Sequence, residues 1–330
     1  MRTFLKVLEN EAQQARPSAR RKAEFEQSCI EVRMFNVGLG EAILLVFPHK
    51  RAWLVDGGSS NSPSKNRKLG EGLVDFLDER GLTLEAFVAS HPHVDHVGAV
   101  ATILASGSPR VASSVAIYRS DDATWNLDKA WLKELQAAIT AHGTVETLAL
   151  RNAHREVTIS GGLRAHLFAG SGEGAYSSIF LQLRAREARL LFTGDSHCSY
   201  EKELLDRFGA EDFRADVLKV THHGSSSGTA RSVVEAVRPG IAVASTGDDP
   251  GHRLELDTLR RLGGRPGPRA VHETLVDGDI VLRTDGGEYQ GGVLYDVAFE
   301  TPGRFAVELG AEIRAFEDVE RTEGNDPHCQ

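Results

Sequence analysis

The densest group of metal-binding side chains lies in the segment Ser90–Gly98, which reads SHPHVDHVG and directly follows an apolar run. Four potential ligands fall within six residues of this segment. His91 and His93 are two residues apart, so both imidazoles can turn from an extended loop toward one ion. Asp95 and His96 follow where the chain bends, and they can face a second ion. Imidazole and carboxylate groups suit Zn²⁺, Mn²⁺ and related cations, so this spacing predicts a metal site.

Two later segments also end an apolar strand on side chains that bind metals. LLFTGD places Asp195 at the end of a strand, where a carboxylate can bridge two cations that lie about 3.5–4 Å apart. LKVTHHGSS delivers His222 and His223 to a strand end in the same way. One of these histidines can bind metal while the other faces a substrate, and the pattern alone does not decide which.

The elements that must carry these motifs alternate between strands and helices. The regular pattern begins near Cys29 with three antiparallel strands, IEVRMFNV, AILLVF and AWLVD, and a polar loop is expected at 59–70. Later strands are predicted at LEAFVAS, VASSVAIY, VTIS, LRAHLFA, SIFLQLRA, ARLLFTGD, ADVLKVT, IAVAST and a closing hairpin, GDIVLRTDGGEYQG. Helices are predicted at 71–80, 97–105, 129–142, 200–208, 232–237 and 254–262.

This order of elements predicts an α/β fold of the αββα sandwich type, in which two mixed β-sheets pack face to face with helices outside. We expect the sandwich to occupy residues 29–292. A helical N-terminal extension is expected at 1–28, and a C-terminal extension at 293–330 is not placed by the pattern.

The charge balance limits the classes of partner. The 330 residues carry 38 Lys and Arg against 47 Asp and Glu, a formal net charge of −9. This balance argues against a strongly basic nucleic-acid coat protein, because affinity for phosphates comes mainly from Lys and Arg. A local basic wall remains available from Arg253, Arg260, Arg261, Arg265 and Arg269.

Cysteine content and hydropathy indicate the cellular compartment in which the protein is expected. Cys29, Cys198 and Cys329 are odd in number and far apart, so we expect neither a disulfide framework nor a CxxC zinc ribbon. The N-terminus is charged where a signal peptide needs an apolar core, and the longest apolar run, Ala42–Phe47, is too short to span a bilayer. We therefore expect a soluble, cytoplasmic protein with no membrane contact. The sequence has no GxSxG or GxxxxGK[ST] motif, which argues against serine-hydrolase and P-loop sites.

Together, the motifs resemble those of the metallo-β-lactamase superfamily across residues 30–290. More narrowly, they resemble the hydrolase domain of ComEC-type competence proteins and their stand-alone relatives, which include nucleases and a phosphorylcholine esterase. NVGLGEAILLVF…WLVDGG is similar to the family's opening, with Glu41 where Asp is usual. GHRLELDTLRRL resembles its YGHP element, with Arg253 in place of Pro, and Thr274…Gly278-Asp279 resembles its closing strand.

The resemblance implies a role for each ligand-type residue. The implied metal ligands are His91 and His93 for one ion, Asp95, His96 and His223 for the second, and Asp195 as the bridge. The alternative, with His222 as the ligand and His223 facing the substrate, stays open. Catalytic contacts are expected from Asp95, His222 and His252. His252 would contact a phosphoryl oxygen or protonate a leaving group, unless it is an ordinary loop histidine. Asp56 would orient ligands from behind them, unless it is a turn residue before two glycines.

One departure concerns the first ion, for which many members of the superfamily supply a third histidine. The candidates in the interval are His142 at a helix end, His154 in an expected polar loop and His166 within a strand. The segment Ala175–Ile179 stands where ComEC-type members have a polar N-S element. His197 is a further substitute, so the first ion is expected to be completed by one of these groups, by water or by substrate.

These residues predict a metal-dependent hydrolase. Two divalent ions, Zn²⁺ or Mn²⁺ with Mg²⁺ as a further option, would lower the pKa of a shared water that attacks the substrate. The predicted activity is that of a phosphodiesterase, a nuclease with DNA or RNA as substrate, because the cations neutralise the phosphate. The alternative is an esterase or lactonase acting on a small phosphorylated substrate, which a deep, narrow pocket would favour over an open basic groove. The third hypothesis is a non-catalytic binding module built on the same fold.

Overall fold

The computed structural model describes residues 2–8, 12–14, 28–121, 125, 128–160, 162–171, 177–264, 267–268, 270–288, 292–309 and 329. Within these ranges the strands form two mixed β-sheets, and we number strands and helices in chain order. The first sheet contains β1 (Arg2–Leu8), β2 (Ala12–Gln14), β3 (Ile30–Met34), β4 (Ala42–Phe47), β5 (Arg51–Gly57), β6 (Thr83–Ala89), β7 (Val111–Ser120), β8 (Val145–Leu150), β16 (Asp279–Thr284) and β17 (Gly292–Glu300). The second sheet contains β9 (Ala153–Ser160), β10 (Leu163–Ala169), β11 (Phe180–Ala185), β12 (Ala188–Phe192), β13 (Val217–Lys219), β14 (Ile241–Ala244) and β15 (Ala270–Glu273).

All but the last of the described helices lie between these strands along the chain. The α-helices are α1 (Pro63–Arg80), α2 (Val94–Val97), α3 (Val100–Ala105), α4 (Ala130–His142), α5 (Cys198–Phe208), α6 (Arg231–Val237), α7 (Leu256–Gly263), α8 (Thr274–Asp277) and α9 (Ala306–Leu309). Short 3₁₀ turns lie at Pro48–Lys50, Ala210–Phe213, His222–Gly224 and Pro250–His252.

The order of strands brings the motif segments to strand ends. The first sheet is ordered β2-β1-β17-β16-β3-β4-β5-β6-β7-β8, and the second β15-β14-β13-β12-β11-β10-β9. Strands β5 to β8 are parallel, and so are β12 to β15. The motif DGG ends β5, and the motifs HPHVDH, GD and HHG follow β6, β12 and β13. Ligand sites of α/β sheets form at such carboxyl ends.

Apolar side chains form three layers. Between the sheets, residues such as Leu45 of the first and Leu183 of the second are fully buried. On the outer face of the first sheet, α1, α3 and α4 bury residues such as Leu73 and Leu135, and α5 and α6 cover the second sheet with residues such as Leu204. Each sheet thus has one face on the central layer and one under helices, which confirms the predicted αββα sandwich.

Helix α1 begins eight residues before its predicted start, so the expected polar loop at 59–70 is wrong from Pro63 onward. Ser62 is the N-cap, and its side chain accepts the backbone N–H of Lys65. Proline at the first helical position costs no hydrogen bond, because that N–H is unpaired in any helix. Gly81 ends the helix in the left-handed conformation, as its position predicts.

The described parts of the expected N-terminal helix are strands. β1 pairs antiparallel with β17 along Arg2–Leu8, and this tertiary pairing supplies hydrogen bonds that local composition does not count. β17 also pairs with β16, so residues 293–300, expected in an unplaced C-terminal extension, belong to the first sheet. Strands β8 and β15 were not predicted, and the predicted helix at 97–105 is divided into α2 and α3.

The expectation of no disulfide is wrong, because Cys198 and Cys329 are paired with their Cα atoms 5.3 Å apart. Their separation of 131 residues gives no local signal for the pairing. Cys29 is a free thiol. None of the helices in the described ranges has the length and hydropathy to cross a membrane.

Candidate metal centre

Asp56, at the end of β5, is the outer anchor of the centre. Its Oδ1 accepts the backbone N–H of Ser90 (2.8 Å), and its Oδ2 accepts the Ser90 hydroxyl (2.7 Å). The same Oδ2 lies 2.8 Å from His96 Nδ1. Because a carboxylate only accepts, Nδ1 of His96 carries a hydrogen, and Nε2 is the inward atom, which can bind a cation once its own proton has left. The prediction that Asp56 acts from behind the ligands matches this position.

His91 is oriented by the same relay. The Ser90 hydroxyl donates its one hydrogen to Asp56, so it accepts from His91 Nδ1 at 3.0 Å. His91 Nε2 then points inward, 2.9 Å from His93 Nδ1 and 3.9 Å from Asp195 Oδ2. The pair predicted to share one ion is therefore in direct contact.

Two glycines allow the loop that carries Asp95 to approach the first sheet. A Cβ on Gly58 would lie 2.6 Å from the backbone nitrogen of His96, and one on Gly40 would lie 2.6 Å from the carbonyl oxygen of Asp95. Either contact is too short for a carbon atom. The glycines of the GLGE and DGG segments thus set how closely the motif loop packs.

The second sheet contributes Asp195 and His223. Asp195 follows β12 across Gly194, whose φ is +56°, and its backbone N–H donates to Ser178 Oγ (3.0 Å). His223 Nδ1 lies 3.0 Å from the carbonyl oxygen of Ser245, so Nδ1 is the donor and Nε2 faces inward.

The inward atoms of three histidines converge on one carboxylate oxygen. Asp195 Oδ2 lies 3.0 Å from Nε2 of His96, 3.2 Å from Nε2 of His223 and 3.9 Å from Nε2 of His91. Asp95 Oδ2 closes the group at 3.7 Å from His96 and 3.8 Å from His223. Asp95, His96, Asp195 and His223 offer ligand atoms that all lie within 4.8 Å of one another. This is the set predicted for the second ion and its bridge.

Burial and mutual charge perturb every group in this cluster. Burial alone would lower the pKa of His96, but Asp195 and Asp56 raise it well above its usual value. Burial likewise opposes a proton on His223, yet Asp195 raises its pKa to about 9. His91 has a pKa well below its ordinary value because of burial and the neighbouring His96. The carboxyls of Asp95 and Asp195 have lowered pKa values although burial raises them, because the histidines stabilise the anions.

The donor set fits divalent cations. His223 Nε2 is buried and makes no well-aligned hydrogen bond among the described residues, although Asp195 Oδ2 lies 3.2 Å away. Buried polar atoms of this kind are costly unless a proton or a cation satisfies them. Each inward imidazole nitrogen is also fixed by an outer acceptor, the arrangement in which histidines bind metals. Imidazole and carboxylate ligands suit Zn²⁺ and Mn²⁺.

The remaining predicted residues lie around this cluster. His252 Nε2 is 3.5 Å from Asp95 Oδ2, and its side chain is 25% exposed. His222 turns away from the cluster, with Nδ1 2.8 Å from Ser227 Oγ and its ring stacked on that of His197. Burial lowers the pKa of His222 to about 4. Of the adjacent histidines, the structure therefore brings His223 to the ligand atoms.

Neither His154 nor His166 supplies the missing third histidine. His154 lies on β9, not in the expected polar loop, and its Nε2 is 3.0 Å from Nδ1 of His166 on β10. His142 ends α4, as predicted. Of the Ala175–Ile179 segment, Ala175 and its neighbour Tyr176 lie outside the described residues, whereas Ser178 contacts Asp195 directly.

Three buried residues of the site were not predicted. Lys219 lies beside Asp195, Glu201 accepts hydrogen bonds from Thr221 Oγ1 and from the backbone of Thr229, and Ser245 orients His223. A lysine inside the apolar strand VLKV was the one available signal, because a buried charge must be paired.

A family model of the metallo-beta-lactamase superfamily matches residues 36–248, well over half of the chain. The chain belongs to the metallo-beta-lactamase superfamily. The resemblance inferred from its motifs is thereby confirmed, and it extends to ComEC-type proteins. "ComE operon protein 3" of Bacillus subtilis is 27% identical over 236 residues, which are 66% of this chain and 28% of that protein. "Recombination protein 2" of Haemophilus influenzae is 26% identical over 251 residues, 76% of this chain and 28% of that protein.

This member of the superfamily therefore spans a little over a quarter of the length of the curated relatives it matches. Among solved structures, the metallo-beta-lactamase fold protein YhfI of Bacillus subtilis is 13% identical, with a TM-score of 0.46. That match covers 74% of this chain and 96% of the YhfI chain.

Proposed function

We propose that the protein is a metal-dependent hydrolase that cleaves phosphodiester bonds, with nucleic acid as its substrate. The observation that carries the proposal is the convergence of three histidine Nε2 atoms and Asp95 on Asp195 Oδ2. Such a donor set holds divalent cations, and family membership supports hydrolysis as their use.

The proposed division of ligands between the two ions follows the motifs. The ligands proposed for two divalent ions are His91, His93, Asp95, His96, Asp195 and His223, with Zn²⁺ or Mn²⁺ preferred and Mg²⁺ as an option. When bound, such ions acidify a water molecule and neutralise charge on a phosphate. The protein's part is to fix the inward lone pairs of its histidines through Ser90, Asp56 and Ser245.

The metal ions would largely neutralise the charge of the site. Asp56, Asp95, Asp195 and Glu41 contribute four negative charges when ionised, and Lys219 contributes one positive charge. With neutral histidines the site then carries three negative charges, two divalent cations would leave one positive charge, and a hydroxide formed from a bound water would cancel it. The preference for a phosphodiester therefore rests on the local attraction between the ions and a phosphate oxygen, and not on the net charge of the site.

Two histidines remain for contacts with substrate. His252 is partly exposed beside Asp95, where its Nε2 can donate a proton to a departing oxygen. His222 has a pKa of about 4 and is therefore neutral at pH 7, so its role is to donate or accept a hydrogen bond. Asp95 contacts His252 as well as the cluster, and it can orient that donor.

Nucleic acid is proposed from the ComEC-type relatives, because the arginines offer less support. Arg253 pairs with Asp248, and Arg260 pairs with Asp257. Arg261 donates to backbone carbonyls of the loop after the HHG motif. Arg265 and Arg269 lie outside the described residues. For the three described arginines, the internal pairings weaken a continuous basic wall, and they favour the second candidate, an esterase acting on a small phosphorylated substrate.

A cleavage assay separates these candidates. Metal-free protein is given Mn²⁺, Zn²⁺ or Mg²⁺ and then single-stranded DNA, double-stranded DNA, RNA or bis-p-nitrophenyl phosphate. Cleavage of a polymer supports the nuclease, and cleavage of the small diester alone supports the second candidate. Asp195→Asn should abolish either activity, whereas the control Asp206→Asn, at an exposed ion pair on α5, should not. Parental activity in folded Asp195→Asn would refute the assigned centre.

A further inference from the structure

The side chain of Lys219 is fully buried directly behind Asp195. Its Nζ donates to the carbonyl oxygen of Gly194 (2.9 Å), lies 2.5 Å from Glu41 Oε2 and lies 3.6 Å from Asp195 Oδ1. Lys219 ends β13 in the second sheet, whereas Glu41 directly precedes β4 in the first. The ion pair therefore spans the two sheets at the metal centre.

Glu41 is joined by its backbone to the loop that carries the other half of the centre. Its N–H donates to the carbonyl oxygen of Asp95 (3.0 Å), and its own carbonyl accepts the N–H of Gly58 (3.0 Å). One residue thus connects the Asp95 loop, through its backbone, to Lys219, through its side chain. Lys219 in turn contacts Gly194 and Asp195. A continuous series of contacts runs from one proposed ligand to the other.

Burial opposes both charges of this pair, and it raises the pKa of Glu41 even though Lys219 acts against that shift. Burial would lower the pKa of Lys219, but the carboxylates of Glu41 and Asp195 raise it above its ordinary value, so the amine stays an ammonium. A buried ion pair contributes little net stability compared with apolar residues of the same volume, because both charges must leave water. Stability alone is therefore a weak reason for placing this pair here, and its contacts with both halves of the centre give a stronger one.

We propose that Glu41 and Lys219 form a positioning pair that holds Asp95 and Asp195 at the separation needed to bind the ions. This inference rests on the metal site of the proposed function. Lys219 Nζ contacts Oδ1 of Asp195, and Oδ2 is the oxygen that faces the three histidines. In this proposal the pair acts through the ligands Asp95 and Asp195 and is not itself part of the ligand set.

The decisive test is the double variant E41Q/K219M, which removes both charges and keeps the side-chain volumes. The affinity of the metal-free protein for Zn²⁺ and for Mn²⁺ is measured by competition with a chelating dye, together with the thermal unfolding midpoint. We expect the double variant to fold with a midpoint within a few degrees of the parent and to bind both metals at least tenfold more weakly. Parental metal affinity in this variant would overturn the proposal.

Two further variants keep the test decisive. Glu41→Asp retains both charges and shortens the reach by one methylene, and we expect it to fold and to bind metal less tightly than the parent. If the double variant does not fold, unchanged affinity in Glu41→Asp overturns the proposal. Glu31→Gln is the matched control, because Glu31 is a buried carboxylate of the same sheet that pairs with Arg80 and Arg283. It should lower the unfolding midpoint and leave metal affinity unchanged.

The measurement also separates this inference from the proposed function. Metal affinity is read without a substrate, so a parent protein that binds ions and cleaves no diester refutes only the proposed function. A parent protein that binds neither Zn²⁺ nor Mn²⁺ refutes both.

Discussion

The substitution Asp56→Asn tests how the centre controls the protonation of its ligands. Asp56 accepts three hydrogen bonds, from the backbone N–H and the hydroxyl of Ser90 and from Nδ1 of His96. Asparagine has the same shape but only one acceptor oxygen. The variant therefore cannot satisfy all three donors, and the choice it makes decides which nitrogen of His96 carries the hydrogen.

Either orientation of the new amide has a cost. If its oxygen stays with the backbone N–H of Ser90, its NH₂ group faces His96 Nδ1. His96 must then accept at Nδ1 and carry its hydrogen on Nε2, the atom that faces Asp195. If the amide is reversed, the N–H of Ser90 is left buried against another donor. A buried unsatisfied group costs about 1–3 kcal/mol, which corresponds to roughly 5- to 150-fold in metal affinity.

The assay is metal competition against a chelating dye at fixed pH, with the fold checked by circular dichroism. We expect a loss in the range of about 10- to 100-fold, the usual effect of removing a group that orients a metal-binding histidine. Ser90→Ala is the control. It removes the hydroxyl relay to His91 but keeps the contact between Asp56 and His96, so its loss should be smaller. Parental affinity in folded Asp56→Asn would refute the argument that Asp56 sets the tautomer.

Two predictions concern pH. Burial lowers the pKa of His223, but Asp195 raises it to about 9, above the value in the unfolded chain. The proton on His223 therefore stabilises the metal-free protein fully below pH 6.5, and this stabilisation is lost as pH rises through 9. Metal affinity should rise up to pH 9 as the proton leaves, while the unfolding midpoint with EDTA falls; a flat profile for both would contradict this. Burial of Glu31 is outweighed by Arg80 and Arg283, which lower its pKa to about 2, so its stabilisation is present above pH 4.5 and is lost as pH falls through 2. Glu31→Gln should lower the free energy of unfolding at pH 7 by about 3 kcal/mol in urea titrations and flatten its decline toward pH 3, and an unchanged value at pH 7 would refute the pairing.

The candidate metal centre was largely predictable because its proposed ligands lie in short segments at strand ends. The spacing of His91, His93, Asp95 and His96 is a local property, and the apolar strands before Asp195 and His223 indicate where these side chains emerge. Parallel strands in a sheet end at a shared edge, so the expectation that distant segments meet needs only the fold class.

The residues that support the ligands were not predictable, because their contacts join segments that lie far apart in the sequence. Glu41 and Lys219 are separated by more than half of the chain, and the sequence around each residue does not indicate the other as its partner. The disulfide between Cys198 and Cys329 has the same character. Pairings across sheets depend on register and side-chain reach, which periodicity does not contain.

The prediction of secondary structure failed where pairing with a distant strand decides the conformation. β1 and β8 lie outside the antiparallel opening, and each depends on a partner strand distant in sequence or on a long crossover. The start of α1 was a different error, because the Ser62-Pro63 cap was present in the sequence and was outweighed by the polar character of the segment.

The choice between His222 and His223 shows what the backbone adds to a motif. Both residues have positive φ angles, 51° and 52°, and Gly224 follows at 89°. Such conformations cost on the order of 1–3 kcal/mol each for residues with a Cβ, and they persist where surrounding contacts enforce them. Here the carbonyl of Ser245 holds the His223 ring inward, while Ser227 holds the His222 ring outward. The strain therefore separates two adjacent imidazoles, one toward the ligand cluster and one toward the loop that follows it, which is a geometry that a regular strand or helix does not provide. Under the proposed function, this backbone presents His223 to the metal ions and keeps His222, whose pKa of about 4 leaves it neutral, on the other side of the same dipeptide.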